Sequence, residues 1–324
     1  MLIWRAEKEL SNVLDEINRK LMIALSKDGR YSYAKLAREL GIKPTTVAKR
    51  VDSMLKDDIF TISAIPNPAN MGYKVMSVIN LDVALTHVDS VCDKLAENPN
   101  ISYISTTFGR FDILLIAEYR DLESLYKLVR EEIPNMEGVK SVETFIVSQM
   151  QKRYQATTNS SSKSQKPVSI SAIDDELIKE LRKNGRATFT SLAKKYGVSA
   201  AMVSRRVSSL VKRNVIQITI APNPTKLGRS IVAYVGMQVQ SNKLDKIASQ
   251  LSAYSQIPQI MTLISGYDIL AVVAISNLEE LAKFIMKEIA SIDGVINVET
   301  LVRAEFRKRT YLGFDFEKTL QQLA

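Results

Sequence analysis

The sequence has very little cysteine and histidine, and it lacks long apolar runs. Its single cysteine is Cys92 and its single histidine is His87. One cysteine excludes an intrachain disulfide framework and is typical of a reducing compartment, and one Cys with one His cannot build a structural zinc site. The longest apolar run, Ile269–Ile275, is far shorter than the ~20 residues of a membrane-spanning helix. We therefore expect no metal site, no membrane partner and a cytoplasmic location.

The chain also lacks a strong excess of one charge. It has 324 residues, of which 46% are hydrophobic and 24% charged, and its formal net charge is +9. These proportions are typical of a folded protein of about two domains. A positive charge of this size is compatible with a nucleic-acid partner but does not by itself indicate one.

One long repeat organises the chain. A shift of 156 residues aligns Gly41 with Gly197, and it aligns the segment VET at 142–144 with VET at 298–300. A repeat of this length indicates a duplicated protein and not a solenoid. We predict two copies of a helical domain followed by a sheet domain, with the following bounds: helical domains 14–60 and 170–216, sheet domains 61–154 and 217–312, a Ser-rich flexible linker 155–169 and a C-terminal tail 313–324.

Each helical domain has the spacing of a helix-turn-helix. In the first copy, Leu36-Ala37 precede Gly41 by four residues, and Val47 and Val51 follow. The small residues allow two helices to cross closely, and the glycine supplies a left-handed turn. We expect Gly29 and Gly185 to end the first helix of each copy at the position after the C-cap.

The third helix of this motif is the one that enters the major groove. Ser199 is the expected N-cap of the second such helix, whereas Lys43 occupies the cap position of the first, so the first helix should begin less firmly. The predicted DNA-binding residues are the outward positions of these two helices: Lys43, Thr45, Thr46, Lys49, Arg50, Ser199, Ala201, Met202, Ser204, Arg205 and Arg206.

The two helices differ where they would meet bases. Thr46 corresponds to Met202 and Lys49 to Arg205, so we predict different half-sites for the two copies. Arg50 and Arg206 correspond to each other, and we assign them to phosphate or to a shared base contact. The helical segments 15–60 and 171–216 carry net charges of +3 and +6, whereas the sheet segments 70–150 and 226–306 carry −5 and −1. Positive charge is therefore concentrated where phosphates would lie.

The second part of each copy alternates in the order strand, helix, strand, strand, helix, strand. This βαββαβ order is typical of the ferredoxin-like arrangement, in which both helices cover one face of the sheet. The other face is apolar and open, so it needs a partner. The predicted fold class is therefore α+β, with two helix-turn-helix domains and two ferredoxin-like domains.

In these residues the chain resembles the Lrp/AsnC, or feast/famine, family of transcription regulators. The resemblance rests on LDEINRKLMIALSKDGRYSYAKLARELGIKPTTVAKRVDSMLKDD for the DNA-binding domain. For the sheet domain it rests on FGRFDILLIAEYRDLESL and MEGVKSVETFIV, and on SGYDILAVVAISNLEEL and IDGVINVETLV. It implies a regulator that binds double-stranded DNA, pairs through its sheet domains and assembles further. Family members usually carry one copy, so the two halves could pair within one chain or between chains.

The resemblance also implies an effector, such as an amino acid, bound near the turn between the two middle strands. The matching positions are Gly109, Phe111, Asp112, Ser265, Gly266, Tyr267 and Asp268. A carboxylate there could take an α-ammonium group, and turn amides could take an α-carboxylate. The alternative is that Asp112 and Asp268 only cap a tight hairpin.

Two other functions remain open at this stage. One is an architectural protein that coats DNA with little sequence preference. The other is an enzyme similar to siroheme decarboxylase, a relative of this fold that is built from two homologous subunits. His87 and Cys92 are more typical of structural positions, and neither a phosphate-binding loop nor metal-ligand spacing is present in the sequence. We therefore predict no catalytic residue and no cofactor.

Overall fold

The structure, a computed structural model, describes residues 15–152 and 170–309, which fall into two units. The helical unit contains residues 15–72 and 170–228, and the sheet unit contains residues 73–152 and 229–309. Each unit therefore combines material from both copies. The predicted linker 155–169 and tail 313–324 lie outside the described residues.

The first copy has five helices and five strands in its described part. They are α1 (Glu16–Lys27), α2 (Tyr33–Leu40), α3 (Pro44–Lys56), β1 (Phe60–Pro66), β2 (Val75–Val83), α4 (Val88–Glu97), β3 (Ile101–Phe108), β4 (Ile113–Tyr119), α5 (Leu122–Lys127) and β5 (Val139–Lys152). Helix α5 continues through Glu132 as one π-helical turn.

The second copy repeats this order. Its elements are α6 (Ala172–Lys183), α7 (Phe189–Tyr196), α8 (Ala200–Lys212), β6 (Ile216–Pro222), β7 (Ile231–Val239), α9 (Leu244–Ser252), β8 (Gln259–Leu263), β9 (Ile269–Ile275), α10 (Leu278–Phe284) and β10 (Val295–Arg309). The predicted fold class, with two helix-turn-helix domains and two βαββαβ domains, is confirmed.

Each helix-turn-helix packs as its spacing predicts. Leu36 and Val47 are fully buried, as is Leu21 on α1. Gly41 and Gly197 adopt φ values of 67° and 64° at the turn, the left-handed conformation that glycine reaches at no steric cost. The turn therefore sets the angle between α2 and α3 in the first copy and between α7 and α8 in the second.

The two helical modules are joined by an antiparallel pair of strands, β1 and β6, with Ser63 opposite Thr219. Gly29 and Gly185 lie against this pair. Each follows the C-cap residue of its helix, Asp28 or Asn184, as predicted, but neither has the positive φ that is common for glycine at this position. A Cβ on Gly185 would lie 2.9 Å from the Ser63 nitrogen, and a Cβ on Gly29 would lie 3.2 Å from the Thr219 backbone. Glycine is present because the backbone of the other copy approaches closely.

The sheet unit is one closed sheet of eight antiparallel strands in the order β10-β3-β4-β2-β5-β8-β9-β7. Strands β2 to β5 come from the first copy and β7 to β10 from the second. The helices of each copy cover the outer face of its strands, where two separate apolar cores form. The open face that the sequence predicts is covered by the other copy of the same chain.

The last strand of each copy is longer than its pattern predicts. The sequence indicates an end at Val147, but β5 runs on to Lys152 and pairs there with β8, just as the end of β10 pairs with β3. The extension is polar because Ser148, Gln149 and Gln151 are exposed to solvent. Likewise β1 and β6 pair with each other, so the units divide after residues 72 and 228 where we expected 60 and 216.

Candidate nucleic-acid interface and effector loops

The recognition helices α3 and α8 begin differently. The Ser199 side chain accepts a hydrogen bond from the Met202 amide at 3.2 Å, whereas Lys43 makes no side-chain cap, and Pro44 occupies the first turn of α3. The predicted difference in capping is confirmed. Because the cap fixes the first turn, which is the part that reaches base edges, α8 presents the more firmly held reading surface.

Most of the predicted DNA-binding side chains reach solvent. Exposed positions are Lys43, Thr45, Thr46, Lys49, Ser199, Ala201 and Arg205; half-buried positions are Arg50, Met202, Ser204 and Arg206. Lys43, Lys49 and Arg205 form no ion pair with any residue that the structure describes, so their charges are available to phosphates or bases. An open groove of about 630 Å³ beside α3 is lined by Thr45, Thr46 and Lys49.

Arg50 and Arg206 have a second role that the sequence did not reveal. Arg50 donates to the Asp15 carboxylate at 2.5 Å and to the Asn18 side chain at 3.0 Å. Arg206 donates to Ser171 and to Asp174, both at 3.0 Å. Each arginine thus holds its recognition helix to the start of α1 or α6. Each arginine therefore has a structural role, and its assignment to phosphate or to a shared base contact stays a prediction, since these bonds use one nitrogen of each guanidinium group.

The two recognition helices belong to one paired assembly. Arg30 donates to the carbonyl groups of Gly185 and Ala187, at 2.8 and 3.1 Å, and Arg186 donates to those of Gly29 and Tyr31, both at 2.9 Å. The contacts are reciprocal, so the modules are related by a pseudo-two-fold axis. One chain therefore presents two recognition helices as a symmetric dimer of single-copy chains would.

The predicted effector turns connect β3 to β4 and β8 to β9. In each turn the aspartate caps a neighbouring strand: Asp112 accepts from the Val83 amide and Asp268 from the Val239 amide, both at 2.8 Å. One oxygen of each carboxylate therefore has a structural role, but its partner lies at the end of β2 or β7 and not in the aspartate's own hairpin. Gly109 has φ 140° and packs against Leu301, and Gly266 packs against Phe145, so both turns contact the other copy. Ser265 is exposed.

A charged cluster that the sequence analysis missed lies at these turns. Arg110 forms ion pairs with Glu143 and, at 3.7 Å, with Glu299. The Tyr267 hydroxyl donates to Glu299 at 2.5 Å, and its ring stacks on Phe145 with centroids 5.0 Å apart. Burial and the Glu299 carboxylate raise the Tyr267 pKa, so the hydroxyl stays protonated and remains a donor. Glu143 and Glu299 occupy equivalent positions in the repeat, and this recurrence is the feature of the sequence that could have revealed the cluster.

His87 and Cys92 occupy positions without catalytic geometry. The His87 ring contacts the Thr86 hydroxyl at 3.0 Å and faces Glu137 at 3.5 Å, and Gly138 packs directly on it. Cys92 is buried in the core of the first sheet domain, and burial raises its pKa to about 11. Over residues 15–152 and 170–309, no cluster of His, Cys, Asp or Glu could hold a metal ion. No helix within those ranges is long and apolar enough to cross a membrane.

The fold and its sites define a duplicated helix-turn-helix protein with paired ligand-binding domains, and comparison with known proteins agrees. Residues 77–157 and 232–312 match the Lrp/AsnC ligand binding domain. Residues 14–55 match the AsnC-type helix-turn-helix domain and residues 170–217 a winged helix-turn-helix DNA-binding domain. The chain belongs to the Lrp/AsnC family of helix-turn-helix transcriptional regulators, with both domains present twice.

Related proteins match one copy at a time. An uncharacterized HTH-type transcriptional regulator of Pyrococcus furiosus is 35% identical over 141 residues, which are 43% of this chain and 95% of that protein. The HTH-type transcriptional regulator LrpA of Pyrococcus horikoshii is 36% identical over 126 residues, which are 38% of this chain and 89% of that protein. Each relative therefore corresponds in length to a single copy.

Solved structures of one protein cover both copies. The crystal structure of the siroheme decarboxylase NirDL aligns with a TM-score of 0.65 at 16% sequence identity, over 95% of this chain and 98% of that chain. At this identity the likeness concerns the fold alone.

Proposed function

We propose that this chain is a sequence-specific transcription regulator in which one polypeptide reads two unlike half-sites. The observation that carries the proposal is the pairing of α3 and α8 through β1 and β6, with solvent-exposed and non-identical side chains on the two helices. Lys49 on α3 and Arg205 on α8 occupy equivalent positions in the repeat, and both side chains are exposed. Arginine forms two parallel bonds to guanine, whereas lysine donates as a point charge, so the two half-sites should differ.

Titration of a labelled random-sequence duplex with the full chain at 50 and 200 mM salt tests DNA binding itself. We expect binding at the lower salt concentration and a loss of roughly 10³-fold or more between the two, because several lysine and arginine side chains release counterions. A chain that does not bind at 50 mM salt contradicts the proposal. Binding without any preference, even for selected sequences, would indicate an architectural coat instead.

The effector part of the proposal concerns the cluster of Arg110, Glu143 and Glu299. Arg110 can take an α-carboxylate, and the two glutamates can take an α-ammonium, so the cluster fits a zwitterionic amino acid. The equivalent of Arg110 in the second copy is Gly266, and a Cβ there would lie 2.1 Å from the Phe145 ring. We therefore propose one such site per chain, beside the predicted effector turns.

Arg110→Gln should lower amino-acid affinity about tenfold or more, because a charged hydrogen-bonding partner is lost. Calorimetric titration of the twenty amino acids against the wild-type chain identifies the effector before the variant is measured. Lys140→Gln is the matched control, since the Lys140 side chain is 58% exposed and ion-paired with Asp82, compared with 57% for Arg110. Equal affinities of the two variants would contradict this site.

The proposal includes no catalytic step. The His87 ring contacts Thr86 and packs against Gly138, and Cys92 is buried, so we assign neither residue a catalytic role. A transcription regulator acts where the genome lies, and we therefore place the chain in the cytoplasm with the nucleoid. Regulation would follow from the effects of an effector at the sheet unit on DNA binding.

A further inference from the structure

The two copies form the closed sheet through two junctions that are not equivalent. In the first junction β3 of copy one pairs with β10 of copy two, and Ser105 lies opposite Phe306. In the second junction β5 of copy one pairs with β8 of copy two, and Met150 lies opposite Met261. The 156-residue repeat makes these junctions equivalent in sequence position, so any difference between them distinguishes the copies.

The first junction contains a buried polar cluster. The hydroxyl groups of Tyr103 and Tyr234 are hydrogen-bonded to each other, and Ser105 is 2.9 Å from the Tyr234 hydroxyl. The Tyr103 ring packs edge-on against Phe306, with centroids 5.6 Å apart, and Arg303 lies over the Phe306 ring at 3.7 Å. Tyr103 is 1% exposed and Tyr234 2%. Both hydroxyls therefore depend on partners inside the junction.

The second junction has none of these residues at the equivalent positions. Gln259 corresponds to Tyr103, Met261 to Ser105, and Val78 to Tyr234. Its polar contact is a different one, between the Ser148 and Thr262 hydroxyls at 2.9 Å. The equivalent of Ser148 in the second copy is Ala304.

Pairing of like copies would remove partners from these groups. If two first copies from different chains paired, each Tyr103 hydroxyl would face Val78 in place of Tyr234. If two second copies paired, each Tyr234 would meet Met261 in place of Ser105 and Gln259 in place of Tyr103, and each Thr262 would meet Ala304. A thioether is a weak acceptor, and a buried hydroxyl without a partner is costly.

We infer that Tyr103, Ser105 and Tyr234 select pairing of the first sheet domain with the second over pairing of like domains. The chain thereby excludes other chains from its own closed sheet and maintains two unlike recognition helices in one assembly. The helical unit contributes little to this selection, because its arginine–ring contacts are reciprocal: Arg30 and Phe189 are mirrored by Arg186 and Tyr33. Asn70 has no counterpart at Lys226, but it donates only to backbone carbonyls, which both copies carry. This inference is independent of whether the protein binds DNA.

Disulfide trapping in the intact chain tests the pairing directly. Thr106 lies opposite Glu305, at the Cα separation that a disulfide spans. Thr106→Cys with Glu305→Cys, oxidised by glutathione disulfide, should form an intrachain bond and migrate as a monomer. Thr106→Cys with Gln149→Cys is the matched control, because residue 149 is the equivalent of 305 and would meet residue 106 only between two first copies. A covalent dimer of the second variant, or no disulfide in the first, would overturn the inference.

A second experiment tests whether Tyr103, Ser105 and Tyr234 select the pairing of unlike sheet domains. A protease site is placed within residues 155–169, and the folded chain is cleaved there. The two halves are then unfolded and refolded together, and native mass spectrometry measures the masses of the pairs that they form. We expect unlike pairs to exceed like pairs about tenfold or more. The double variant Tyr103→Gln with Ser105→Met gives β3 the residues of β8, and it should reduce the excess of unlike pairs several-fold. The control Ser63→Thr makes the centre of β1 match β6, and it should leave that excess unchanged. An unchanged excess in the first variant, or random pairing of the wild type, would contradict the inference.

Discussion

Replacing Gly185 by valine should lower the affinity for a duplex with both half-sites by about 100-fold or more, because the two recognition helices then bind separately. A Cβ at this position would lie 2.9 Å from the Ser63 nitrogen and 3.0 Å from the Ile62 carbonyl carbon. Both atoms are backbone, so they cannot move aside as a side chain would. The bond from the Gly185 amide to the Ile62 carbonyl, at 2.7 Å, would also be lost.

Fluorescence anisotropy with a two-half-site duplex and a one-half-site duplex measures this effect. Affinity for the single half-site should remain close to that of the wild type, because each helix-turn-helix retains its own core. Thr190→Val is the control. Thr190 is exposed on the neighbouring helix α7, so a valine side chain fits there without a clash. Equal losses on both duplexes would show that the substitution damages the module itself and that the paired strands do not couple the modules.

Arg205→Ala should weaken binding to the selected duplex about 10- to 100-fold and relax the preference at one base pair of the second half-site. The Arg205 side chain is exposed on α8 and forms no ion pair with another described residue. Arg206, one residue further on, is bonded to Ser171 and Asp174. Of these two neighbouring arginines, Arg205 is the more exposed one and is not bonded to the start of α6.

Competition binding with single-base variants of the duplex locates the affected position. Lys246→Ala removes one exposed positive charge from the sheet unit and should leave both affinity and preference unchanged. A uniform loss across all base variants would make Arg205 a phosphate contact. An affinity equal to that of the wild type would remove Arg205 from the interface.

Much of the fold could be predicted because local pattern and repeat agree. The spacing of Leu36, Gly41 and Val47 fixes a helix-turn-helix, and its recurrence after 156 residues excludes coincidence. The alternation of strands and helices in the sheet domains is equally local. The extension of β5 to Lys152 could not be predicted, because its second half pairs with β8, more than 100 residues away in the chain.

The candidate sites were harder to predict, because several of their residues make contacts, some of them with the other copy of the repeat, that no local pattern shows. Recurrence of Arg50 and Arg206 suggested a shared DNA contact, yet each arginine holds its own module together. Recurrence of Gly29 and Gly185 correctly indicated a helix end, but it did not reveal that these glycines also allow the strand of the other copy to approach. The Arg110 cluster draws Glu143 from one copy and Glu299 from the other, so no local motif contains it.

The reading of two unlike half-sites by one chain is tested most directly by selection of duplexes from a random pool with the intact protein at physiological salt. The account predicts an enriched site composed of two different half-sites in one fixed order and spacing. Arg205→Ala should alter one half of that site and leave the other unchanged. An enriched perfect palindrome, or enrichment of a single half-site without its neighbour, would contradict the account.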